Sequence, residues 1–206
     1  MHDPTQHDRP LRVGSLFSGY GGLDLAIEHA LGAETIWFSE INKHVARIFS
    51  HHWPDAPNLG DITTIDWSQV EPVDILIGGF PCQDYSVAKP ADKALGIEGK
   101  KGVLWWAIYT ALAKAVRAGR PIKYLMLENV DRLLKSPSAC RGRDFAIILS
   151  SLASLGYAVE WRVVNAADYG FPQRRRRGFM VGSVAIDKED YTVTVSDANN
   201  DGGIGQ

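Results

Sequence analysis

Cys82 closes the run Ile75-Leu76-Ile77-Gly78-Gly79-Phe80-Pro81, in which a short apolar stretch stops at two glycines and a proline. Such a stretch reads as a strand buried on both faces, and the ligand-facing edge of a parallel sheet lies at the carboxyl ends of its strands. A thiol carried there next to a proline of fixed φ is placed to act as a nucleophile at the mouth of a cleft. The competing reading is a small buried apolar residue, a common fate of free cysteines. Glu128 follows a second apolar run, Tyr124-Leu125-Met126-Leu127. Partial desolvation raises a carboxyl pKa and suits it to proton donation; otherwise Glu128 is a helix-start acid for the next segment. In Gln173-Arg174-Arg175-Arg176-Arg177, strand alternation puts Gln173, Arg175 and Arg177 on one side. Guanidinium forks there can hold a phosphate or a carbonyl oxygen, unless the run is simply a solvated basic face.

A second set of residues suits a nucleotide-like ligand. Ser18-Gly19-Tyr20-Gly21-Gly22 separates a strand-like from a helix-like segment. Its glycines let a ligand approach the backbone, and the helix start offers unpaired N–H groups. Glu40 closes the next apolar run about twenty residues later, the spacing at which a carboxylate meets ribose hydroxyls. The loop alone is also compatible with a plain tight turn; with Glu40 it points to a ligand. The dinucleotide fingerprint lacks its third glycine in register, which favours S-adenosylmethionine over a dinucleotide. Asp61 either accepts a hydrogen bond from an adenine amino group or caps its own turn.

These groups need a scaffold, and the hydrophobic pattern supplies one. Strands are expected over 11–17, 35–40, 73–77, 124–130, 157–165 and 178–184, the fourth ending in Glu128-Asn129-Val130. Helices are expected over 23–31, 43–52, 103–118 and 144–155, the first and last stopped by Gly32 and Gly156. The 103–118 helix carries Leu104, Ala107, Ile108, Ala111, Leu112 and Ala115 on one face, with Trp105 and Trp106 read as packing residues. Strands alternating with helices imply an α/β fold with a mostly parallel sheet and helices on both faces. The polar stretch 89–101 has no periodicity and reads as a lid over the cleft or a solvated loop. Residues 1–10 and 186–206 are expected to be flexible tails around a single domain over 11–185.

Composition sets the remaining bounds. A 206-residue chain that is 45% hydrophobic and 22% charged is ordinary for one globular domain. No apolar run is long enough to span a membrane, and the polar N-terminus is unlike a signal peptide, so the expected compartment is the cytoplasm. Two cysteines, Cys82 and Cys140, provide neither a disulfide framework nor a four-cysteine zinc pattern, and no metal is expected. A net charge of −2 excludes a uniformly basic nucleic-acid binder but not a local basic patch.

Taken together, Leu16-Phe17-Ser18-Gly19-Tyr20-Gly21-Gly22-Leu23, Glu40, Gly60-Asp61-Ile62, Gly79-Phe80-Pro81-Cys82-Gln83-Asp84-Tyr85-Ser86, Glu128-Asn129-Val130 and Gln173 to Arg177 resemble the DNA (cytosine-5)-methyltransferase family in order and spacing. The resemblance runs from about Val13 to Val184. It implies a Rossmann-like S-adenosylmethionine-dependent methyltransferase fold. Phe17 would then stack near the adenine, Gly19, Gly21 and Gly22 would admit the methionine part, and Glu40 would bind the ribose. Asp61 and Ile62 would meet the adenine, and Pro81 and Leu104 would line the same pocket. Cys82 would be the nucleophile, Glu128 the group at cytosine N3, and Arg175 and Arg177 would hold the cytosine carbonyl. Asn129 would orient the base or the Pro81-Cys82 loop. Gln83, Ser86 and Gln173 would touch a duplex DNA substrate with its cytosine flipped out.

The resemblance also implies a departure. Family members continue past the arginine motif into a target-recognition domain and a closing helix, whereas Gly182 here is succeeded by a short polar stretch. The expectation is an exposed apolar patch, and with it a second polypeptide or self-association. A catalytically silent module and an RNA cytosine methyltransferase are the rival readings.

Overall fold

The structure is a computed structural model that describes residues 9–80, 103–135 and 141–184. The apolar runs fold into β1 (Arg12–Leu16), β2 (Glu34–Ser39), β3 (Ile75–Gly79), β4 (Tyr124–Val130), β5 (Tyr157–Asn165) and β6 (Arg176–Val184). They form one sheet in the order β2-β1-β3-β4-β6-β5. The β1/β2, β1/β3 and β3/β4 pairs are parallel, while β6 runs antiparallel to both β4 and β5. The expected α/β architecture with a mostly parallel sheet is therefore present.

Successive strand residues face opposite sides of a sheet, and each side here has its own helical cover. Leu76, Leu125 and Leu127 pack with Ile108 and Leu112 of α3 (Val103–Arg117) and with Ile148 and Leu152 of α4 (Arg143–Ser154). On the other side Val13, Ile75 and Ile77 pack with Ile27 of α1 (Gly22–Leu31). Phe38 stacks on Phe49 of α2 (Lys43–His52) at a centroid distance of 4.2 Å. Trp105 is 1% exposed and belongs to the α3 core, as expected of a packing residue. On the α1 side Met126 of β4 packs at the margin of the Ile27 cluster, and beyond it the cover among the described residues thins. Tyr124 is 42% and Val181 51% exposed there, and Val181 stands opposite Met126 in register.

β4 ends in Glu128-Asn129-Val130, as expected, and one boundary differs from the sequence expectation. β6 begins at Arg176, so Gln173 and Arg175 precede the strand, and its alternation does not govern them. Pro81, Cys82, Gln83, Ser86 and the expected lid at 89–101 lie outside the described residues, as do Cys140 and most of the two expected tails. Arg9 is described and is held by Asp74, with Nη1 to Oδ2 at 2.8 Å.

One charged group sits inside the fold. Asp24, in the first turn of α1, is fully buried and accepts from Ser15 Oγ of β1 at 3.0 Å and Thr35 Oγ1 of β2 at 3.2 Å. Burial pushes its carboxyl up to about 6, and the two hydroxyls offset only part of the desolvation. Because the folded pKa is the raised one, the contribution to stability is present below the unfolded value and lost as pH rises through about 6. The full cost above that range is about 3 kcal/mol. Asp24→Asn keeps a partner for each hydroxyl and removes the buried charge. Its stability should gain on the wild type between about pH 4 and about pH 7, levelling off above, as read by urea unfolding at the two ends. A difference independent of pH would contradict this.

Candidate active site

The parallel strands bring the chemical groups to one edge by register. Ser39, Leu16, Gly78 and Leu127 form a single row across β2, β1, β3 and β4. The next residue on each strand is Glu40, Phe17, Gly79 and Glu128, so all four stand at one level of the sheet edge, where β1 and β2 have ended and β3 and β4 still pair Gly79 with Glu128. β6 enters at this edge in the opposite direction, with Val130 opposite Arg177 and Glu128 opposite Phe179. Across this junction Arg177 Nε donates to Glu128 Oε1 at 2.7 Å, with the two side chains 24% and 21% exposed. A charge-assisted contact this short in a half-buried setting fixes both side chains. Arg177 Nη1 also donates to the Arg176 carbonyl at 2.9 Å. Nη2 has no hydrogen bond among the described residues. Arg176 turns the other way, as strand alternation requires, to Asp131 Oδ2 at 3.1 Å.

Glycine and asparagine tie this pair to the exit of β3. A Cβ on Gly79 would lie 3.2 Å from Glu128 Oε2, so the carboxylate rests over a position where a side chain would crowd it. Asn129, 1% exposed, donates from Nδ2 to the Phe80 carbonyl at 2.9 Å and accepts from Val130 N–H at 2.8 Å. Asn129 thus ties β4 to the backbone of Phe80, the last described residue after β3. Phe80 is itself buried against Trp105.

Two strands away lies the second set. Phe17 holds a φ of 51°, a left-handed conformation that a bulky residue adopts at a cost of about 1–3 kcal/mol. Glu40 Oε2 accepts from Gly19 N–H at 3.2 Å and Oε1 from Asn42 N–H at 2.8 Å, which pins the carboxylate beside the glycine loop. Gly21 has a φ of 80°, and a Cβ there would meet the Trp53 ring at 2.3 Å. Glycine is thus required at Gly21 by both conformation and space. Asp61 Oδ1 accepts from the N–H and hydroxyl of Thr63 at 2.9 and 2.8 Å, the turn-capping alternative open in the sequence, and Oδ2 is uncommitted among the described residues. Ile62 is 4% exposed, and Leu104 packs against the same core. Acceptors at Glu40 and Asp61 beside a glycine loop and an apolar floor match the polar and apolar parts of S-adenosylmethionine.

Not every expected residue joins the pair. Gln173 and Arg175 are exposed in the turn before β6, where Arg175 N–H donates to the Gln173 carbonyl at 3.0 Å. No contact to Glu128 is present for either among the described residues. Asn58 is not among the residues the sequence points to. Its Oδ1 accepts from Glu40 N–H and Gly60 N–H and its Nδ2 donates to the Glu40 carbonyl, fastening the ribose-type acid to the Gly60-Asp61 turn. Its signal is the asparagine ahead of Gly60, a side chain that mimics a backbone turn.

A sequence profile for the C-5 cytosine-specific DNA methylases matches residues 11–200. The chain belongs to that family. It is 44% identical over 183 residues to the type II methyltransferase M.Sau3AI of Staphylococcus aureus, covering 84% of the chain and 43% of that protein. It is 40% identical over 167 residues to M.NgoBI of Neisseria gonorrhoeae, covering 81% of the chain and 49% of the relative. The chain therefore spans less than half the length of these curated relatives. Among solved structures, the Dnmt2 methyltransferase of S. pombe superposes with a TM-score of 0.63 at 18% identity over 87% of the chain and 50% of its own. A putative DNA modification methyltransferase from an E. coli prophage gives 0.62 at 22% identity, covering 84% of the chain and 47% of that structure. These likenesses establish the methyltransferase fold.

The Asn129 contacts generate a prediction about stability. Asn129→Ala leaves the Phe80 carbonyl and the Val130 N–H without their side-chain partner in a buried site, and should lower unfolding free energy by about 1–3 kcal/mol in urea titrations. An unchanged midpoint would show that neither bond matters.

Proposed function

We propose that this chain transfers a methyl group from S-adenosylmethionine to carbon 5 of cytosine in duplex DNA, by covalent attack of Cys82 on a flipped-out base. The observation that carries the reading is the Arg177–Glu128 ion pair. It is braced over Gly79 at the strand exit that leads, through Phe80 and Pro81, to Cys82.

Carbon 5 of cytosine is a poor nucleophile until the 5,6 double bond is polarised. The Cys82 thiolate adds at carbon 6, and Glu128 hydrogen-bonds or protonates ring nitrogen 3, so that the electron pair displaced from the double bond builds up at carbon 5. When bound, S-adenosylmethionine supplies the electrophilic methyl group that carbon 5 takes up. Loss of the carbon 5 proton to a base and expulsion of the Cys82 thiolate then restore the aromatic ring. Arg177 holds Glu128 in place through Nε and has Nη2 to offer the cytosine carbonyl, while a nearby cation favours the thiolate over the thiol. Glu40 receives the ribose hydroxyls, Asp61 Oδ2 receives the adenine amino group, and the glycine loop admits the methionine part. Carbon 6 is shielded in a stacked duplex, so the base must leave the helix, and the 89–101 segment is the element proposed to close over it.

The Tyr124 and Val181 face, exposed among the described residues, supports a second polypeptide or a second copy of the chain seated on it. Tritiated methyl transfer to duplex DNA and to RNA, by wild type, Cys82→Ser and Glu128→Gln, tests the reading. DNA labelling should be lost in Cys82→Ser and reduced by about 100-fold or more in Glu128→Gln, with cofactor binding retained in both. RNA labelling alone would transfer the mechanism to the other polymer. No labelling of either, with cofactor still bound, would make the chain a silent module.

A further inference from the structure

The whole chain is net acidic at −2, but its charge is segregated. The connection from β2 to β3 carries Asp55, Asp61, Asp66, Glu71 and Asp74 without a single lysine or arginine between His52 and Asp74. The edge of the sheet beside Glu128 is the opposite. Val130 runs directly into the 3-10 turn Asp131–Lys135, and Arg176 binds that turn through Asp131. The Leu134 carbonyl lies 3.6 Å from where a Cβ on Gly142 would be, which puts the Arg141-Gly142-Arg143 entry to α4 against the same turn. Arg132, Lys135, Arg141, Arg143, Arg174 and Arg175 are all exposed on this rim. None is ion-paired to an acid among the described residues. Of the acids close by, Asp131 is engaged with Arg176, Asp144 is 1% exposed, and Asp168, exposed beside the turn before β6, accepts from Asn165 Nδ2 at 3.0 Å and pairs with no arginine among the described residues. Arg143 also stands in the first turn of α4, where a cation works against the helix dipole.

We propose that the rim formed by the Asp131–Lys135 turn, the start of α4 and the turn before β6 is a phosphate-binding surface that holds the DNA backbone next to the Glu128–Arg177 site. This rests on the proposed function. It adds Arg132, Lys135, Arg141 and Arg143, which lie outside every motif that carries the family resemblance. Guanidinium and ammonium groups that pair with no acid among the described residues, spread over three elements, suit a polyanion with repeated phosphates better than a single compact anion. Because such contacts read charge and not sequence, they would position the strand without choosing the base, a task left to other parts of the enzyme.

The salt dependence of binding tests this. Anisotropy of a fluorescein-labelled duplex containing cytosine is titrated with wild type, with the triple variant Arg132→Ala, Arg141→Ala, Arg143→Ala, and with the corresponding triple lysine variant. Cofactor affinity of each is measured separately as a check that the fold is intact. The alanine variant should lower the slope of log affinity against log salt by about 2 to 3, one unit for each lost phosphate contact, equally for unrelated duplex sequences. The lysine variant should restore the slope, since a phosphate contact of this kind needs charge and not fork geometry. An unchanged slope in the alanine variant overturns the proposal while leaving the function intact. So does a loss confined to one sequence, or a loss seen with RNA and not with duplex DNA. Absence of duplex binding by the wild type would instead count against the function itself.

Discussion

Glu128 and Arg177 meet because strands β4 and β6 run in opposite directions. Were β6 parallel to β4, its first residues would emerge at the far edge of the sheet, and the arginine motif would be a strand length from the carboxylate. The antiparallel register sets Arg177 opposite Val130, one turn of the pleat beyond Glu128, and a 2.7 Å contact closes the gap. The ion pair matters less for stability than for orientation: at roughly a fifth to a quarter exposure it is solvent-screened, and such pairs contribute little net free energy. What it fixes is direction. Nε is committed to the carboxylate and Nη1 to the Arg176 carbonyl, so the guanidinium and the carboxylate are held in one fixed relation at the strand edge.

The rest of the edge obeys the same economy. Gly79 carries no side chain because Glu128 lies over it, and Gly78 lies 2.9 Å, measured from an added Cβ, from the Leu16 carbonyl. The two glycines that end the β3 run thus serve packing on both neighbours, β1 and β4. On the cofactor side, Phe17 accepts a left-handed φ, and Gly21 yields its Cβ space to Trp53, whose indole N–H is in turn held by Glu28 at 2.8 Å. Asp24 and Glu28, one turn apart on α1, anchor that helix to β1, β2 and Trp53 and thereby set where the glycine loop stands. Backbone strain is concentrated where a ligand is expected, and buried polar contacts hold it there.

Much of this is legible in the sequence, for reasons that differ by residue. Ile75 to Ile77 announces itself because a strand buried on both faces must be apolar without interruption, and two glycines end it; Tyr124 to Leu127 reads the same way, yet only Leu125 and Leu127 are buried, so in β4 the unbroken apolar run covers one face. The glycine loop and Glu40 are legible as a pair because their spacing reflects one strand–helix–strand unit. Register is not written in any single run. Alternation predicts Gln173 and Arg175 on the same side as Arg177, but β6 starts only at Arg176, so the turn and not the pleat directs the first two. Asn58 stays hidden because its partner Glu40 lies 18 residues back and is joined through backbone atoms that every residue possesses.

The central claim is that Cys82 bonds to carbon 6 of a cytosine held by Glu128 and Arg177. A duplex carrying 5-fluorocytosine tests it most directly, because fluorine at carbon 5 blocks the proton loss that would release the enzyme. Incubation with S-adenosylmethionine, digestion and mass spectrometry should find the modified base attached to the peptide that contains Cys82, and no adduct with Cys82→Ser. Methyl transfer to ordinary cytosine without any adduct on the fluorinated duplex, or an adduct on Cys140, would contradict the account.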